Sequence, residues 1–236
     1  MIRIEPISSG SSGNAYYISD GVTNVLIECG VSLRTLKEWC YANKHNYRTL
    51  DCVMVSHSHK DHSRSAQVLA DMGIKVIMPK DTIEELRIKW VIPIESYPDT
   101  KKAEKVNNWS VYAFPLVHDV TTYAYVVDIG SERLHYVTDT KKVLYNVNKV
   151  THLMIECNHD TDLVDINAQN GEISDLERKR ITNTHMSLNS VKTAIMSMDR
   201  SRLKEVWLLH LSDRNADEIR FRKEIQEIVD CPVYIA

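Results

Sequence analysis

Six consecutive residues, His57-Ser58-His59-Lys60-Asp61-His62, contain three histidines and one aspartate and constrain the chain more than any other segment. Neutral imidazole and carboxylate groups are ligands that suit zinc, manganese or iron. His57 and His59 flank a single residue, so in an extended loop their side chains leave on the same side. A catalytic zinc ion takes three protein ligands and a water molecule. Four ligand-type side chains in one short segment therefore predict two adjacent metal ions.

This metal-binding segment directly follows an apolar run of strand length. Cys52-Val53-Met54-Val55 is bounded by polar residues and is typical of a strand buried on both faces. A buried strand that ends in a polar loop places that loop at the carboxyl edge of a sheet, a common position for chemistry. The alternatives are a chance histidine-rich surface loop and a single adventitious metal site, and the density of ligand-type residues disfavours both.

Short apolar runs alternate with segments of helical spacing along the whole chain. The predicted strands cover residues 15–18, 25–28, 52–55, 75–78, 110–115, 124–129, 134–138, 152–155, 206–209 and 232–235. Predicted helices begin after Ser32, follow the metal-binding segment as far as Gly73, and include residues 191–198 and 219–228. This alternation predicts an α/β layered fold. The chain has 236 residues and no linker-like tract, which favours a single domain over 1–236 rather than two small ones.

Composition excludes several classes of protein. The formal net charge is -3, so no overall field draws the protein onto nucleic acid or an anionic membrane, and a polyanionic substrate would need a local positive site such as a metal centre. The five cysteines are scattered and never form a CxxC pair, which argues against a disulfide framework or a zinc ribbon. No signal peptide and no transmembrane run are evident. We therefore expect a cytoplasmic location, no membrane association and no obligate protein partner, with the oligomeric state open.

The order histidine-x-histidine-x-aspartate-histidine after an apolar strand resembles the signature of the metallo-β-lactamase superfamily. Three further residues match the signature in order, each at or near the end of a strand-like run: His118, Asp139 and His210. The resemblance covers essentially the whole chain and implies a four-layer αβ/βα sandwich. It also implies a set of metal ligands: His57, His59 and His118 on one ion, Asp61, His62 and His210 on the other, and Asp139 between them.

Other segments indicate a branch of that superfamily. The segments Ser9-Gly10-Ser11-Ser12-Gly13-Asn14, Glu156-Cys157-Asn158-His159-Asp160, His185-Met186-Ser187 and His210-Leu211-Ser212 resemble the WalJ/YycJ-like group, related to ribonuclease Z and to phosphonate-pathway phosphodiesterases. One departure is Glu28, where the family usually has aspartate. We expect Glu28 to affect loop packing rather than to bind metal. The chain is too short for the inserted cap domain of the β-CASP branch.

Residues outside the ligand set have two interpretations each. The serine- and glycine-rich loop before Asn14 is either a flexible turn or a cradle for phosphate, in which Ser11, Ser12 and Asn14 would bind substrate.

His185 precedes a predicted helix capped by Ser187 or Asn189 and is either a solvated loop histidine or, as the resemblance favours, a substrate-phosphate contact or general acid. His159 is an alternative acid or a plain loop residue. Asp119 is predicted to orient His118. The basic run 178–180 is favoured as a solvated face, with contact to a phosphate backbone as the alternative.

The residues and the resemblance together imply a dinuclear metal-dependent hydrolase, acting as a phosphodiesterase or nuclease. Two divalent ions, zinc first with manganese or iron as alternatives, would hold a bridging hydroxide that attacks phosphorus. Asp61 belongs to this catalytic group, and His185 or His159 would protonate the leaving oxygen. The alternative is a carboxylic ester, lactone or thioester hydrolase similar to glyoxalase II. A redox di-iron centre is disfavoured because that branch usually has glutamate in place of His59. A non-enzymatic binding module is disfavoured because no ligand is lost.

Overall fold

In the computed structural model, which describes residues 2–236, packing divides the chain into two units. The first unit comprises residues 2–113 and 127–131, and the second comprises residues 114–126 and 132–236. The prediction of a single domain over 1–236 is not settled by this division and stays a prediction. No helix within residues 2–236 combines the length and the apolar character needed to cross a membrane.

The first unit is built on a six-stranded sheet in chain order. Its strands are β1 (Arg3–Ser8), β2 (Ala15–Ser19), β3 (Asn24–Ile27), β4 (Cys52–Met54), β5 (Val76–Pro79) and β6 (Ile92–Ile94). Strands β1 to β3 are antiparallel, whereas β3 to β6 run parallel. The carboxyl ends of β3 and β4 therefore share one edge, and this edge carries Glu28 and His57.

Helices of the first unit follow the strands. They are α1 (Leu33–Ala42), α2 (Lys60–Ser63), α3 (Ala66–Asp71), α4 (Lys80–Leu86) and α5 (Tyr97–Thr100), with a 3₁₀ turn at Tyr47–Thr49. The predicted cap is confirmed, because the Ser32 hydroxyl accepts a hydrogen bond from the Thr35 N–H at 3.1 Å. Behind the sheet edge, buried Leu26, Val53 and Leu69 belong to one apolar cluster that supports the loops above it.

The second unit contains four parallel strands. The remaining strands of the chain are β7 (Glu104–Val106), β8 (Trp109–Pro115), β9 (Tyr123–Ile129), β10 (Glu132–Val137), β11 (His152–Glu156), β12 (Glu205–Leu209) and β13 (Val233–Ile235). They form a seven-stranded mixed sheet in the order β13-β12-β11-β10-β9-β8-β7, with β10 to β13 parallel. Asp139, Glu156 and His210 therefore meet at one edge, because each lies at or just after the carboxyl end of a parallel strand.

Four helices connect these strands: α6 (Thr161–Gln169), α7 (Asp175–Thr184), α8 (Leu188–Ser197) and α9 (Glu218–Gln226). Helix α8 begins at the predicted cap, where the Ser187 hydroxyl accepts the Ser190 N–H. The predicted strands and helices are confirmed, with ends that differ by a few residues. Helices α4 to α7 and strands β1, β6 and β7 were not predicted from the sequence. Helix α7 buries none of its residues, so its sequence lacks an apolar stripe.

His135 in β10 is a buried histidine away from the sheet edge. Burial, together with the charge of Arg133, lowers its pKa from 6.5 to about 4. Between these two values the unfolded chain binds a proton that the folded chain does not, so stability falls as the pH drops from about 6.5 to about 4.

We expect His135→Leu to remove part of this acid sensitivity. The loss of unfolding free energy between pH 7 and pH 4 should shrink by at most about 3 kcal/mol, measured by urea titration at each pH. His152 also has a pKa lowered to about 4 by burial, so some acid sensitivity should persist. An unchanged pH dependence in the variant would contradict this prediction.

Candidate functional site

The predicted metal-binding segment occupies the loop after β4 in the first unit. Its residues 57–59 precede the single turn of α2, in which Asp61 and His62 lie. The rings gather closely: the His57 ring centroid is 4.7 Å from that of His59 and 4.2 Å from that of His62. His57 and His62 are fully buried, and His59 and Asp61 are partly exposed. The structure thus brings the four ligand candidates of this unit together at the sheet edge.

Ser56 and Glu28 orient the histidine rings. The Ser56 hydroxyl lies 2.8 Å from Nδ1 of His57, a contact that fixes the orientation of the ring. Glu28 is fully buried; its Oε2 accepts the Ser56 N–H at 3.1 Å, and its Oε1 lies 3.5 Å from Nδ1 of His62. Glu28 has a φ of 59°, an uncommon conformation for a residue with a side chain. Glu28 was expected only to affect loop packing, but its carboxylate also lies beside the ring of the ligand candidate His62.

Asn14 contacts the metal-binding segment, residues 57–62, which is called the ligand loop from here on. It is fully buried, and its backbone N–H donates to the Asp61 carbonyl at 2.7 Å. Its side-chain Nδ2 lies 3.1 Å from Nε2 of His62 and bonds the Gly10 carbonyl at 3.1 Å. Through these contacts Asn14 supports the ligand loop, and its role in substrate binding stays a prediction. Ser11 and Ser12 remain exposed, as a phosphate contact requires.

Gly30 is required by the close approach of this loop. A Cβ atom at Gly30 would lie 1.7 Å from the Asp61 carbonyl oxygen and 2.8 Å from the His62 nitrogen. No side chain fits at that distance. The neighbouring Cys29 N–H donates to the His62 carbonyl at 2.8 Å, so the ligand loop lies directly on the segment after β3.

In the second unit, four titratable residues converge at the edge of the parallel strands. Asp139, Glu156, His185 and His210 each offer a ligand atom, and these atoms all lie within 4.8 Å of one another. His210 Nδ1 lies 3.9 Å from Asp139 Oδ1 and 3.5 Å from Glu156 Oε1. Asn158 fixes His210 by donating from Nδ2 to its carbonyl at 2.9 Å. Two of the predicted ligands, Asp139 and His210, are thus neighbours.

His118 joins this group from the loop after β8. The Thr184 carbonyl lies 3.1 Å from Nδ1 of His118, while Asp119 and Asp139 lie 3.0 and 3.8 Å from Nε2. A backbone carbonyl on one nitrogen commonly fixes the ring of a metal-binding histidine. The orienting group at Nδ1 is therefore Thr184, whereas the predicted partner Asp119 faces the other nitrogen, on the side of Asp139.

Glu156 is a residue of the site to which the sequence analysis assigned no role of its own. It is fully buried at the end of β11 and holds a short hydrogen bond to Nδ1 of His185. Its Oε2 accepts the backbone N–H groups of Thr140 and Met186, both at 3.1 Å. Two signals in the sequence marked its position: a carboxylate ends an otherwise apolar run, and Glu156 opens one of the segments that resemble the WalJ/YycJ-like group.

Glu156 and His185 stabilise each other's charged forms. Burial alone would raise the pKa of Glu156, but the charge and hydrogen bond of His185 outweigh it, and the pKa lies below its usual value. Burial likewise would lower the pKa of His185, but the charge and hydrogen bond of Glu156 raise it above the usual value. The two residues form an ion pair at the edge of the sheet.

His159 lies in a different environment. It is buried, and its Nδ1 has no hydrogen-bond partner within residues 2–236. Burial lowers its pKa to about 4, so the ring is neutral at pH 7. Its neighbour Asp160 caps α6 by accepting the N–H groups of Asp162 and Leu163. The segment therefore has a structural role at the start of α6.

The two sets of residues fit divalent metal ions. In the first unit, Asp61 Oδ2 and His62 Nε2 lie 3.4 Å apart, so ligand atoms of adjacent residues converge. In the second unit, carboxylate and imidazole atoms lie within 4.8 Å of one another. A mixed imidazole and carboxylate donor set suits zinc, manganese or iron.

Glu156→Gln tests the buried carboxylate. This change keeps the shape but removes the charge beside His185 and beside the ligand candidate His210. We expect kcat to fall about 10- to 100-fold, the usual effect of losing a group that orients a metal ligand. Steady-state kinetics with metal analysis of the same sample would measure it. Glu132→Gln is the matched control, since Glu132 pairs with exposed Lys204 at the start of β10. Equal kcat in Glu156→Gln and the wild type would contradict the assigned role.

Comparisons with known proteins agree with this geometry. Residues 23–211 match the family model described as "Beta-lactamase superfamily domain". "Exodeoxyribonuclease WalJ" of Streptococcus pneumoniae strain D39 is 24% identical over 224 residues, covering 89% of this chain and 81% of the relative. "Exodeoxyribonuclease YycJ" of Bacillus anthracis is 22% identical over 244 residues, covering 97% of this chain and 89% of the relative.

Among solved structures, the metallo-beta-lactamase fold protein YhfI from Bacillus subtilis superposes with a TM-score of 0.73 and 19% identity, covering 100% of this chain and 97% of YhfI. The predicted αβ/βα sandwich is confirmed by this likeness and by the two mixed sheets. With a family model that spans most of its length, the chain belongs to the beta-lactamase superfamily and has the metallo-β-lactamase fold.

Proposed function

We propose that this protein is a metal-dependent phosphodiesterase or nuclease that holds two divalent metal ions, with zinc as the first candidate. The proposed ligands are His57, His59 and His118 for one ion, Asp61, His62 and His210 for the other, and Asp139 for both. Bound divalent ions would supply a water nucleophile at neutral pH and offset the charge on phosphate oxygens. Family membership, the fitting donor sets and the exodeoxyribonuclease names of two relatives support the proposal.

The observation that carries the proposal is the ion pair of His185 with Glu156, beside Asp139. A protonated imidazole at this position can donate a proton to the leaving oxygen of a phosphodiester, and divalent ions held beside it would offset the charge of the phosphate. Since Glu156 occupies Nδ1 of His185, we assign proton donation to Nε2. His159, with its pKa lowered to about 4, is the less suited of the two candidate acids.

The remaining assignments are part of the same proposal. Ser11 and Ser12 are exposed near the turn at Gly10 and would contact a substrate phosphate, while Asn14 supports the ligand loop. One family model runs through residues of both units, which supports a single domain over 1–236. All five cysteines are buried free thiols, in keeping with a reducing cytoplasm.

The test combines metal removal with a panel of substrates. The chelated protein is reloaded with zinc, manganese or iron and assayed on bis-p-nitrophenyl phosphate, single- and double-stranded DNA, RNA, a lactone and a thioester. We expect phosphodiester hydrolysis that disappears on chelation and returns with at least one metal. Turnover of the lactone or thioester without any phosphodiester hydrolysis would establish the ester hydrolase instead, and no turnover at all would refute the proposal.

A further inference from the structure

Lys141 connects three parts of the site in the second unit. It follows the predicted ligand Asp139 by two residues, and its backbone N–H donates to the Val117 carbonyl at 2.9 Å, next to His118. Its Nζ lies 2.9 Å from Oδ1 of Asn183, two residues before His185. The side chain is exposed. A cation is thus held by fixed backbone at the rim of the site, between the loops that carry its titratable groups.

Helix α7 extends the positive charge away from that rim. Lys179 and Arg180 lie four and three residues before Asn183, a spacing that places them on the same side of a helix. Both are exposed; the acidic residues Asp175 and Glu177 lie one turn earlier in the helix and form no ion pair with either cation within residues 2–236. The rise of a helix separates Lys179 from Asn183 by about 6 Å along the axis.

Ion pairing distinguishes these cations from their neighbour Arg178. Arg178 pairs with Asp165 at 2.7 Å, but within residues 2–236 no carboxylate partner accompanies the exposed cations of this surface, namely Lys141, Lys142, Lys179 and Arg180. Because α7 buries no residue, its cations do not serve the packing of a core. Positive charge without a carboxylate partner, on a helix that ends next to His185, is suited to binding a polyanion.

We propose that this cationic track, formed by Lys141, Lys142, Lys179 and Arg180, binds the phosphate backbone of a nucleic-acid strand. The strand runs along α7 and presents one phosphodiester near His185. Lysine and arginine contacts to phosphate position a strand without reading its sequence. The inference rests on the proposed function and deepens it, because it assigns a polymeric substrate rather than a small phosphodiester.

The test is equilibrium binding of a fluorescent single-stranded oligonucleotide to the metal-loaded protein at several salt concentrations. Phosphorothioate linkages protect the strand from hydrolysis, and separate DNA and RNA arms identify the preferred sugar. We expect Lys179→Ala/Arg180→Ala to raise Kd about tenfold and to reduce the slope of log Kd against log salt by about 1.4, the value for losing two contacts to a single strand. Alanine is a strong helix former, so α7 should persist.

The matched control is Lys149→Ala/Lys223→Ala, which removes the same charge from exposed positions of the second unit away from α7. An equal loss of affinity in the control, or an unchanged Kd and slope in the α7 variant, would overturn the track. Failure of the two proposals is distinguishable. Hydrolysis of bis-p-nitrophenyl phosphate without oligonucleotide binding would refute only the cationic track. Salt-dependent binding through α7 without hydrolysis under any metal would refute only the enzymatic function.

Discussion

Asp61→Ala should abolish hydrolysis and reduce bound metal to about one ion per chain, if two ions are held as proposed. Asp61 Oδ2 lies 3.4 Å from His62 Nε2, so the change removes one of two converging ligand atoms and leaves His62 with weaker support. The loss of several kcal/mol of charge stabilisation at the phosphate corresponds to a rate reduction of about 1,000-fold. Metal content by plasma mass spectrometry and turnover of bis-p-nitrophenyl phosphate measure both effects.

Asp71→Ala is the matched control for Asp61→Ala. Asp71 is an exposed aspartate of the same unit, and its Oδ1 accepts a 2.7 Å hydrogen bond from the Gln67 side-chain amide. The control removes the same charge and should keep wild-type metal content and turnover. Full turnover in Asp61→Ala would refute the ligand assignment, whatever the metal content.

Gly30→Ala should also cause a large loss of activity, without changing any ligand. The new Cβ would lie 1.7 Å from the Asp61 carbonyl oxygen and 2.1 Å from its carbon, so the backbone of the ligand loop must move. A displacement of about 1 Å at a catalytic group costs on the order of 100-fold in rate. Overpacking should also lower stability by about 1–3 kcal/mol or more. Metal content, turnover and thermal unfolding on one preparation separate the two effects.

Gly21→Ala serves as the control, because no atom lies within 4 Å of its Cβ position. Gly21 has a φ of 93°, so this substitution carries backbone strain without a clash and should affect stability alone. If Gly30→Ala bound metal and turned over substrate as the wild type does, the close approach of the two segments would have no functional importance.

The ligand candidates could be named from the sequence because their signal is local. Dense histidine and aspartate residues follow an apolar strand, and His210 again ends such a run. Parallel strands then bring the ends of β10, β11 and β12 to one edge. The α/β class followed from the same alternation of apolar runs, since burial of strands and helices requires those patterns.

Other features depend on contacts between distant residues and leave no local pattern. Glu156 gains its role from His185, 29 residues later, and Gly30 from the backbone of Asp61. Asn14 has the composition of a turn, yet its amide is used by the ligand loop. Helix α7 escaped prediction because a helix without a buried face has no apolar periodicity.

The ligand loop of the first unit is held in shape by the polypeptide itself. Backbone hydrogen bonds from Asn14 and Cys29 reach the carbonyls of Asp61 and His62, and Gly30 lies directly beneath. Binding of a metal to such a preorganised loop does not have to drive folding, in contrast to small zinc-dependent domains that unfold without their ion. Metal supply in the cell should therefore set the activity of this protein without setting its abundance. Starvation for metal would leave a dormant pool that regains activity as soon as the ion returns.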